Sequence, residues 1–143
     1  EPLSPWTASP TFALPYVGQD GQSHRQVLIG EAGKFGFLVG PYQNEKGEVL
    51  DQQPMVAGKP NKYMWFLWGG KEELTGKFSV TAVKEGAQRE LGIYKGGIMG
   101  GPNSGDYARI PTTMTLPEPG MWRLNAYIGN RLFGSVYVKV VAE

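Results

Sequence analysis

The last third of the chain alternates apolar and polar positions with a period of two. From Met121 to Ile128 the even positions are apolar, and from Leu132 to Val140 the even positions are again apolar or glycine. The dipeptide Gly129-Asn130 separates the two stretches. Alternation on both sides of a two-residue glycine turn predicts an antiparallel β-hairpin. We expect this hairpin near the middle of a sheet, with Trp122 in the core.

Shorter segments of the same kind occur along the rest of the chain. They are 26–30, 34–39, 62–68, 74–84, 89–94 and 107–116, with a shorter candidate at 54–57. No stretch has the 3.6-residue period of a helix, and Pro111 places its strand near a sheet edge. We therefore predict an all-β chain, an immunoglobulin-like antiparallel β-sandwich of seven to nine strands.

The first sixteen residues differ from the rest in their proline content. Prolines at positions 2, 5, 10 and 15 forbid a helix and a central strand. We predict that residues 1–16 form an extended arm, packed through Trp6 and Phe12 on a single domain spanning residues 1–143.

The segment 63–68 is the densest aromatic strand, with the sequence Tyr-Met-Trp-Phe-Leu-Trp. Strand alternation places Tyr63, Trp65 and Leu67 on one face and the other three side chains on the opposite face. An ordinary half-solvated antiparallel strand is apolar on one face only. Either the N-terminal arm covers the outer face, or that face is an exposed aromatic platform for a sugar ring or a partner protein.

A glycine-rich segment from Lys95 to Asp106 is predicted to be a long loop that borders this platform. Together the strand and the loop supply the candidate ligand- or partner-binding residues. These are Tyr63, Trp65, Trp68, Tyr94, Asp106, Tyr107 and Arg109.

Composition excludes several functional classes. The 143 residues carry 14 Lys and Arg against 13 Asp and Glu, for a net charge of +1, which argues against nucleic-acid binding. There is no cysteine, so disulfides and thiolate metal sites are excluded. The longest apolar run is too short to span a bilayer.

Catalytic patterns also fail. His24 is the single histidine and lies beside Arg25, and there is no Gly-x-Ser-x-Gly elbow. Glu72 and Glu73 are the single adjacent acidic pair, in a polar turn, and do not predict a glycosidase dyad. We therefore predict that the chain is not an enzyme.

No cofactor or metal site is predicted either. The five methionines have no chelating spacing and are typical of core packing. Asn103, Ser104 and Asp106 lack the acidic density of a calcium loop. The glycines of 96–101 run into Pro102 rather than a helix N-terminus, so they do not predict a phosphate loop.

Three segments carry a resemblance to a known family: 62–69, 74–83 and 111–117, with the closing hairpin 119–140. Together they resemble an extracytoplasmic lipoprotein family of unknown function from Bacillus-type bacteria, with an immunoglobulin-like domain. The resemblance spans about residues 6–141. It implies export to the cell surface and membrane contact through a lipid anchor upstream of Glu1, and it offers no catalytic residues.

The predicted function is a non-catalytic extracytoplasmic binding module of the cell envelope that recognises a protein or a cell-wall glycan. Two alternatives remain open. One is a structural accessory subunit whose outer apolar face packs on another chain. The other is a protease inhibitor that presents residues 96–106 as a substrate-like segment.

Overall fold

The structure, a computed structural model, describes residues 6–143, and that range contains twelve β-strands and no helix. The strands are β1 Thr11–Val17, β2 Ser23–Glu31, β3 Phe35–Gly40, β4 Tyr42–Gln43, β5 Val49–Leu50, β6 Met55–Val56, β7 Asn61–Trp68, β8 Thr75–Lys84, β9 Leu91–Gly100, β10 Tyr107–Met114, β11 Gly120–Ile128 and β12 Arg131–Val141. Nine of these described strands have six residues or more. The prediction of an all-β chain is confirmed.

The strands form two five-stranded sheets. The first has the order β1-β2-β3-β7-β10 and the second the order β6-β12-β11-β8-β9, while β4 and β5 make a separate two-stranded ribbon. Strand pairing is antiparallel apart from the short parallel contact of β6 with β12. The architecture is therefore a sandwich of two mainly antiparallel sheets, and its immunoglobulin-like character stays a prediction.

The core lies between the two sheets. Trp65 of the first sheet packs edge-on against Phe78 of the second, with ring centroids 5.7 Å apart, and Phe35 meets Phe133 in the same way at 6.0 Å. Trp122 is 2% exposed, so its predicted core position is confirmed. Because side chains alternate with a period of two, each sheet has one apolar face, and these two faces pack against each other in the core.

The C-terminal hairpin has the predicted position. β11 lies at the centre of the second sheet, between β12 and β8, and Gly129-Asn130 forms the turn. The pairing register shifts between Ala126 and Tyr127. This bulge places one extra residue, Phe133, on β12, and its ring packs on Phe35.

The described part of the N-terminal arm, residues 6–16, contacts both sheets. The Ser9 amide donates to the Tyr137 carbonyl at 2.9 Å, and the Tyr137 amide donates to Ser9 Oγ at 2.8 Å, so this segment lies beside β12. β1 then pairs with β2 at the edge of the first sheet. Trp6 packs on Tyr137 of the second sheet, whereas Phe12 lies on the first. The prolines at positions 2 and 5 lie outside the described residues.

The predicted long loop from Lys95 to Asp106 is wrong in extent. Residues up to Gly100 continue β9, and only 101–106 connect β9 to β10. The register of β9 against β8 shifts twice, between Lys77 and Ser79 and between Val80 and Thr81. Glycine is tolerated in a strand at such bulges, so the glycine content of this segment is compatible with its pairing to β8.

Candidate functional site

The structure decides which face of β7 points inward. Tyr63 is 5% exposed and Trp65 is fully buried, and both belong to the core between the sheets. The prediction that these two residues contribute to a binding platform is wrong. Their side chains are inaccessible because they lie on the inner face of the strand, together with Leu67.

The outer face of the same sheet carries a cluster of aromatic side chains, here called the aromatic face: Phe12, Phe66, Trp68 and Tyr107, with Arg109. Register brings them together, because Tyr107 pairs with Trp68 and Arg109 pairs with Phe66. Residues that pair directly across an antiparallel ladder point to the same side.

The rings of the aromatic face pack against one another, and Phe66 has its ring plane nearly parallel to those of two neighbours. Phe66 stacks with Tyr107 at 5.5 Å and with Trp68 at 6.1 Å, both with interplanar angles of 23°. Trp68 and Tyr107 are 5.3 Å apart at 36°, and Phe12 adds a tilted ring 6.5 Å from Trp68. Phe66 is buried beneath its neighbours, whereas Trp68, Tyr107 and Phe12 are half-buried. The N-terminal arm therefore covers this face through Phe12 alone among its described aromatic rings.

Arg109 supplies the positive charge of the aromatic face. Its guanidinium carbon lies 5.6 Å from the centroid of Phe66, which is within cation–π range. The backbone of Arg109 is held by Asn103, whose side chain accepts from its amide at 2.9 Å and donates to its carbonyl at 3.1 Å. The sequence prediction of Trp68, Tyr107 and Arg109 as neighbours therefore corresponds to one continuous surface.

Tyr94 and Asp106, the other two predicted residues, are not part of the aromatic face. Tyr94 belongs to β9 of the second sheet, where its ring packs on Phe78 and its hydroxyl donates to the Pro111 carbonyl at 3.3 Å. Asp106 is exposed in the turn that precedes β10. The structure does not bring Tyr94 to the aromatic face because β9 and β10 belong to different sheets.

A polar cluster lies on the outer face of the second sheet. The Glu90 carboxylate accepts from the Thr81 hydroxyl, from the Asn125 amide at 3.1 Å and from the Tyr127 hydroxyl at 3.2 Å. Ser135 donates to the other side of Asn125 at 2.7 Å. These donors, the Thr81 hydroxyl first, lower the pKa of Glu90, and partial desolvation together with the Glu90 charge raises the pKa of Tyr127. The cluster ties the start of β9 to β8 and β11.

Replacing Glu90 with glutamine should destabilise the protein above about pH 4.5 by less than about 1 kcal/mol, since the carboxylate is exposed. The folded pKa of Glu90 is lowered, so its stabilisation is fully present above the unfolded pKa and is lost as the pH falls through the folded pKa. Urea melts of the variant and the parent should therefore converge at acidic pH. Glu72→Gln, at an exposed position, is the control. A difference between Glu90→Gln and the parent that persists unchanged at pH 3 would contradict this account.

His24 lies at the tip of the β1–β2 hairpin, in an exposed position. Its Nε2 is 3.0 Å from both carboxylate oxygens of Asp20, and its ring packs on Tyr16 with centroids 5.5 Å apart. The Gln22 amide and His24 lower the pKa of Asp20.

In residues 6–143, no three His, Cys, Asp or Glu side chains cluster in a way that could hold a metal ion. The prediction that the chain is not an enzyme stays a prediction.

Sequence reasoning missed Phe66 and Phe12 as members of the aromatic face. The signal for Phe66 was present, because Trp68 and Phe66 are two residues apart and share a face, whereas Trp65 and Trp68 are three apart and cannot. Phe12 had no such signal, since its place depends on β1 pairing with β2. The Glu90 cluster was also missed, because it joins residues that are distant in sequence.

Comparisons with known proteins give a fold relative and a family. A crystal structure described as a "Putative Lipoprotein from Bacillus anthracis" matches with a TM-score of 0.63 and 20% sequence identity, over 95% of this chain and 86% of that one. At that identity the likeness shows the fold alone. No curated protein matches significantly. Among residues 6–143, no helix has the length and apolarity needed to cross a membrane. The family model described as "Domain of unknown function (DUF4871)" matches residues 5–138, and the chain therefore belongs to that family.

Proposed function

We propose that this domain is a non-catalytic, extracytoplasmic binding module that recognises a cell-wall glycan through the aromatic face of its first sheet. The observation that carries the proposal is the close packing of the Phe66, Trp68 and Tyr107 rings, with centroids 5.3 to 6.1 Å apart, on a surface that faces away from the core. An apolar outer face in addition to a complete core is unusual for an antiparallel sheet, which is normally solvated on one side.

The chemistry of the aromatic face favours a sugar ring. The rings of Trp68 and Tyr107 are half-buried and lie 5.3 Å apart, so part of each ring is open to solvent. Together with the Arg109 guanidinium they offer apolar contact and hydrogen-bond donors to the same ligand.

The proposed location outside the cytoplasm has two supports. Segments 62–69, 74–83 and 111–117 resemble an exported lipoprotein family with an immunoglobulin-like domain. The structural relative is also described as a lipoprotein. A surface protein anchored by lipid upstream of residue 1 would hold the aromatic face within reach of the envelope glycans.

A structural accessory role is the second candidate, because some apolar side chains project into solvent. Ile98 is 83% exposed and Leu132 is 55% exposed, both toward the same end of the second sheet. The inhibitor alternative loses its structural basis, since residues 96–100 are part of β9 and the remaining turn is held by Asn103.

Soluble cell-wall glycan fragments provide the test, with binding measured by calorimetry. Trp68→Ala should weaken binding by about tenfold or more, as expected for a central aromatic contact. Trp6→Ala is the matched control, because Trp6 is a comparable half-buried indole that packs on Tyr137 of the other sheet. It should leave the affinity within about twofold. Absence of saturable binding by the parent protein, or equal losses in both variants, would refute the proposal.

A further inference from the structure

Arg109 lies on the aromatic face without an acidic partner. Its side chain is exposed, and none of the ion pairs formed within residues 6–143 includes it. By contrast Arg25, on β2 of the same sheet, donates to the Asp51 carboxylate at 2.7 Å. The positive charge of Arg109 is therefore open to an anionic group that comes from outside the described chain.

Two sets of contacts restrict the position of the Arg109 side chain. Its guanidinium carbon lies 5.6 Å from the ring centroid of Phe66, which is itself buried. The Asn103 side chain binds both the amide and the carbonyl of Arg109, and the Asn103 amide donates to the Tyr107 carbonyl at 3.2 Å. Because the backbone is held and a ring lies beneath the guanidinium, less conformational freedom is lost when a ligand binds there.

The outward side of the first sheet carries no acidic side chain. Pairing places even-numbered residues of β1, β2, β3 and β7 on the same side as Phe66, together with odd-numbered residues of β10. None of these positions is Asp or Glu, whereas Lys62 and Arg109 are both exposed cations. Glu31, the single acidic residue within these five strands, pairs with Phe35 of the core and so has the opposite direction.

Acidic residues in the segments that adjoin these strands have other partners or no contact with Arg109. Asp20 contacts the His24 ring at 3.0 Å, and the Glu73 carboxylate accepts from the Gly70 amide at 3.0 Å. Asp106 is exposed in the turn before β10, and no ion pair joins it to Arg109. The outward side of the sheet is therefore cationic where it is charged.

The chemistry of a guanidinium group favours an anionic ligand over a neutral one. A planar guanidinium donates two parallel hydrogen bonds to a carboxylate or a phosphate, and such charge-assisted bonds are about twice as strong as neutral ones. A neutral sugar packed on the neighbouring rings would remove water from the charge of Arg109 without replacing it by a counter-charge. An anionic substituent compensates this cost.

We propose that the glycan bound by the aromatic face is anionic. A sugar ring packs on Trp68 and Tyr107, and a carboxylate or phosphate substituent of the glycan accepts paired hydrogen bonds from the Arg109 guanidinium. Lys62 lies on the same side of β7, four residues before Phe66 and thus about 13 Å along the strand, where it attracts a further anionic group of a repeating polymer. This inference rests on the proposed function and names the chemical class of its ligand.

The test compares soluble cell-wall glycan fragments before and after their anionic groups are removed. One portion has its carboxylates converted to amides with carbodiimide and methylamine, and another has its phosphates removed with hydrofluoric acid. By calorimetry the parent protein should bind the untreated fragments at least about tenfold more tightly than one of the treated portions. The treatment that weakens binding identifies the anion, and affinity for the untreated fragments should fall with added salt.

Arg109→Gln should weaken binding of the untreated fragments by about tenfold or more, and binding of the fragments that have lost the recognised anion by less than about twofold. Arg89→Gln is the matched control, because Arg89 is also exposed and forms no ion pair within residues 6–143, but lies between β8 and β9 of the second sheet. It should leave the affinity within about twofold. Thermal melts should show both variants folded.

The outcomes separate this inference from the proposed function. If the parent protein binds treated and untreated fragments equally while Trp68→Ala still loses affinity, the glycan site stands and its anionic ligand is refuted. Equal losses in Arg109→Gln and Arg89→Gln would also refute it, since they would indicate attraction by overall charge. Absence of binding to every fragment would overturn both proposals.

Discussion

Replacing Trp122 with alanine should lower the free energy of unfolding by about 3–5 kcal/mol, the largest loss expected from a single change in this chain. Trp122 is 2% exposed and lies on β11, the central strand of the second sheet. Its indole Nε1 donates to the Glu118 carbonyl at 2.9 Å, so the ring is fixed at both its apolar and its polar side. Strands on both sides limit how far the cavity can collapse.

Urea melts followed by far-ultraviolet circular dichroism measure this loss. Trp68→Ala is the matched control, because it removes an indole that is half-buried on the outer face. It should cost clearly less than Trp122→Ala, since solvent already reaches part of the ring. Equal costs for the two variants would contradict the difference in burial.

Replacing Gly30 with alanine should destabilise the protein by about 2–5 kcal/mol, because a backbone penalty of about 1–2 kcal/mol combines with a packing penalty of about 1–3 kcal/mol. Gly30 has φ of 150°, a region that other residues rarely adopt, and it pairs with Gly36 across β2 and β3. A Cβ atom there would lie 2.4 Å from the Phe35 carbonyl oxygen and 2.7 Å from the Gly36 Cα. These are backbone atoms, so relief requires the strands to separate.

Gly33→Ala separates the two penalties. Gly33 is in the turn of the same hairpin and has φ of 79°, but a Cβ atom there would meet nothing within 4 Å. Its substitution carries the conformational penalty alone, about 1–2 kcal/mol. Thermal or urea melts should therefore show Gly30→Ala to be the more damaging change. If the two variants lose the same stability, close backbone packing at Gly30 is not the cause.

Alternation along the chain was sufficient to locate most strands, because a buried face repeats every two residues. It predicted the β11–β12 hairpin, its central place in a sheet and the burial of Trp122, and all three are confirmed. It failed at the end of β9, where glycine composition predicted a loop. Composition describes what a segment tolerates, whereas pairing with β8 decided that residues 95–100 are extended.

The candidate site was only partly predictable. Both faces of β7 are apolar, so the pattern contained no sign of which one meets the second sheet. The binding residues predicted from the sequence therefore combined Tyr63 and Trp65 of the inner face with Trp68 of the outer face. The pairing of Tyr107 with Trp68 and of Arg109 with Phe66 depends on register between strands about forty residues apart. Such register is a tertiary property.

By itself, the sequence determined the class of the fold, most strand positions and the balance of charge, because these depend on local composition and on the two-residue period of a strand. The tertiary structure decided which aromatic rings face solvent, how residues 6–16 divide between the sheets, and how Asn103 holds the backbone of β10 at Arg109. These features arise where strands distant along the chain meet. Their energetics depend on which backbone groups and rings remain without a neighbour once the two sheets have packed.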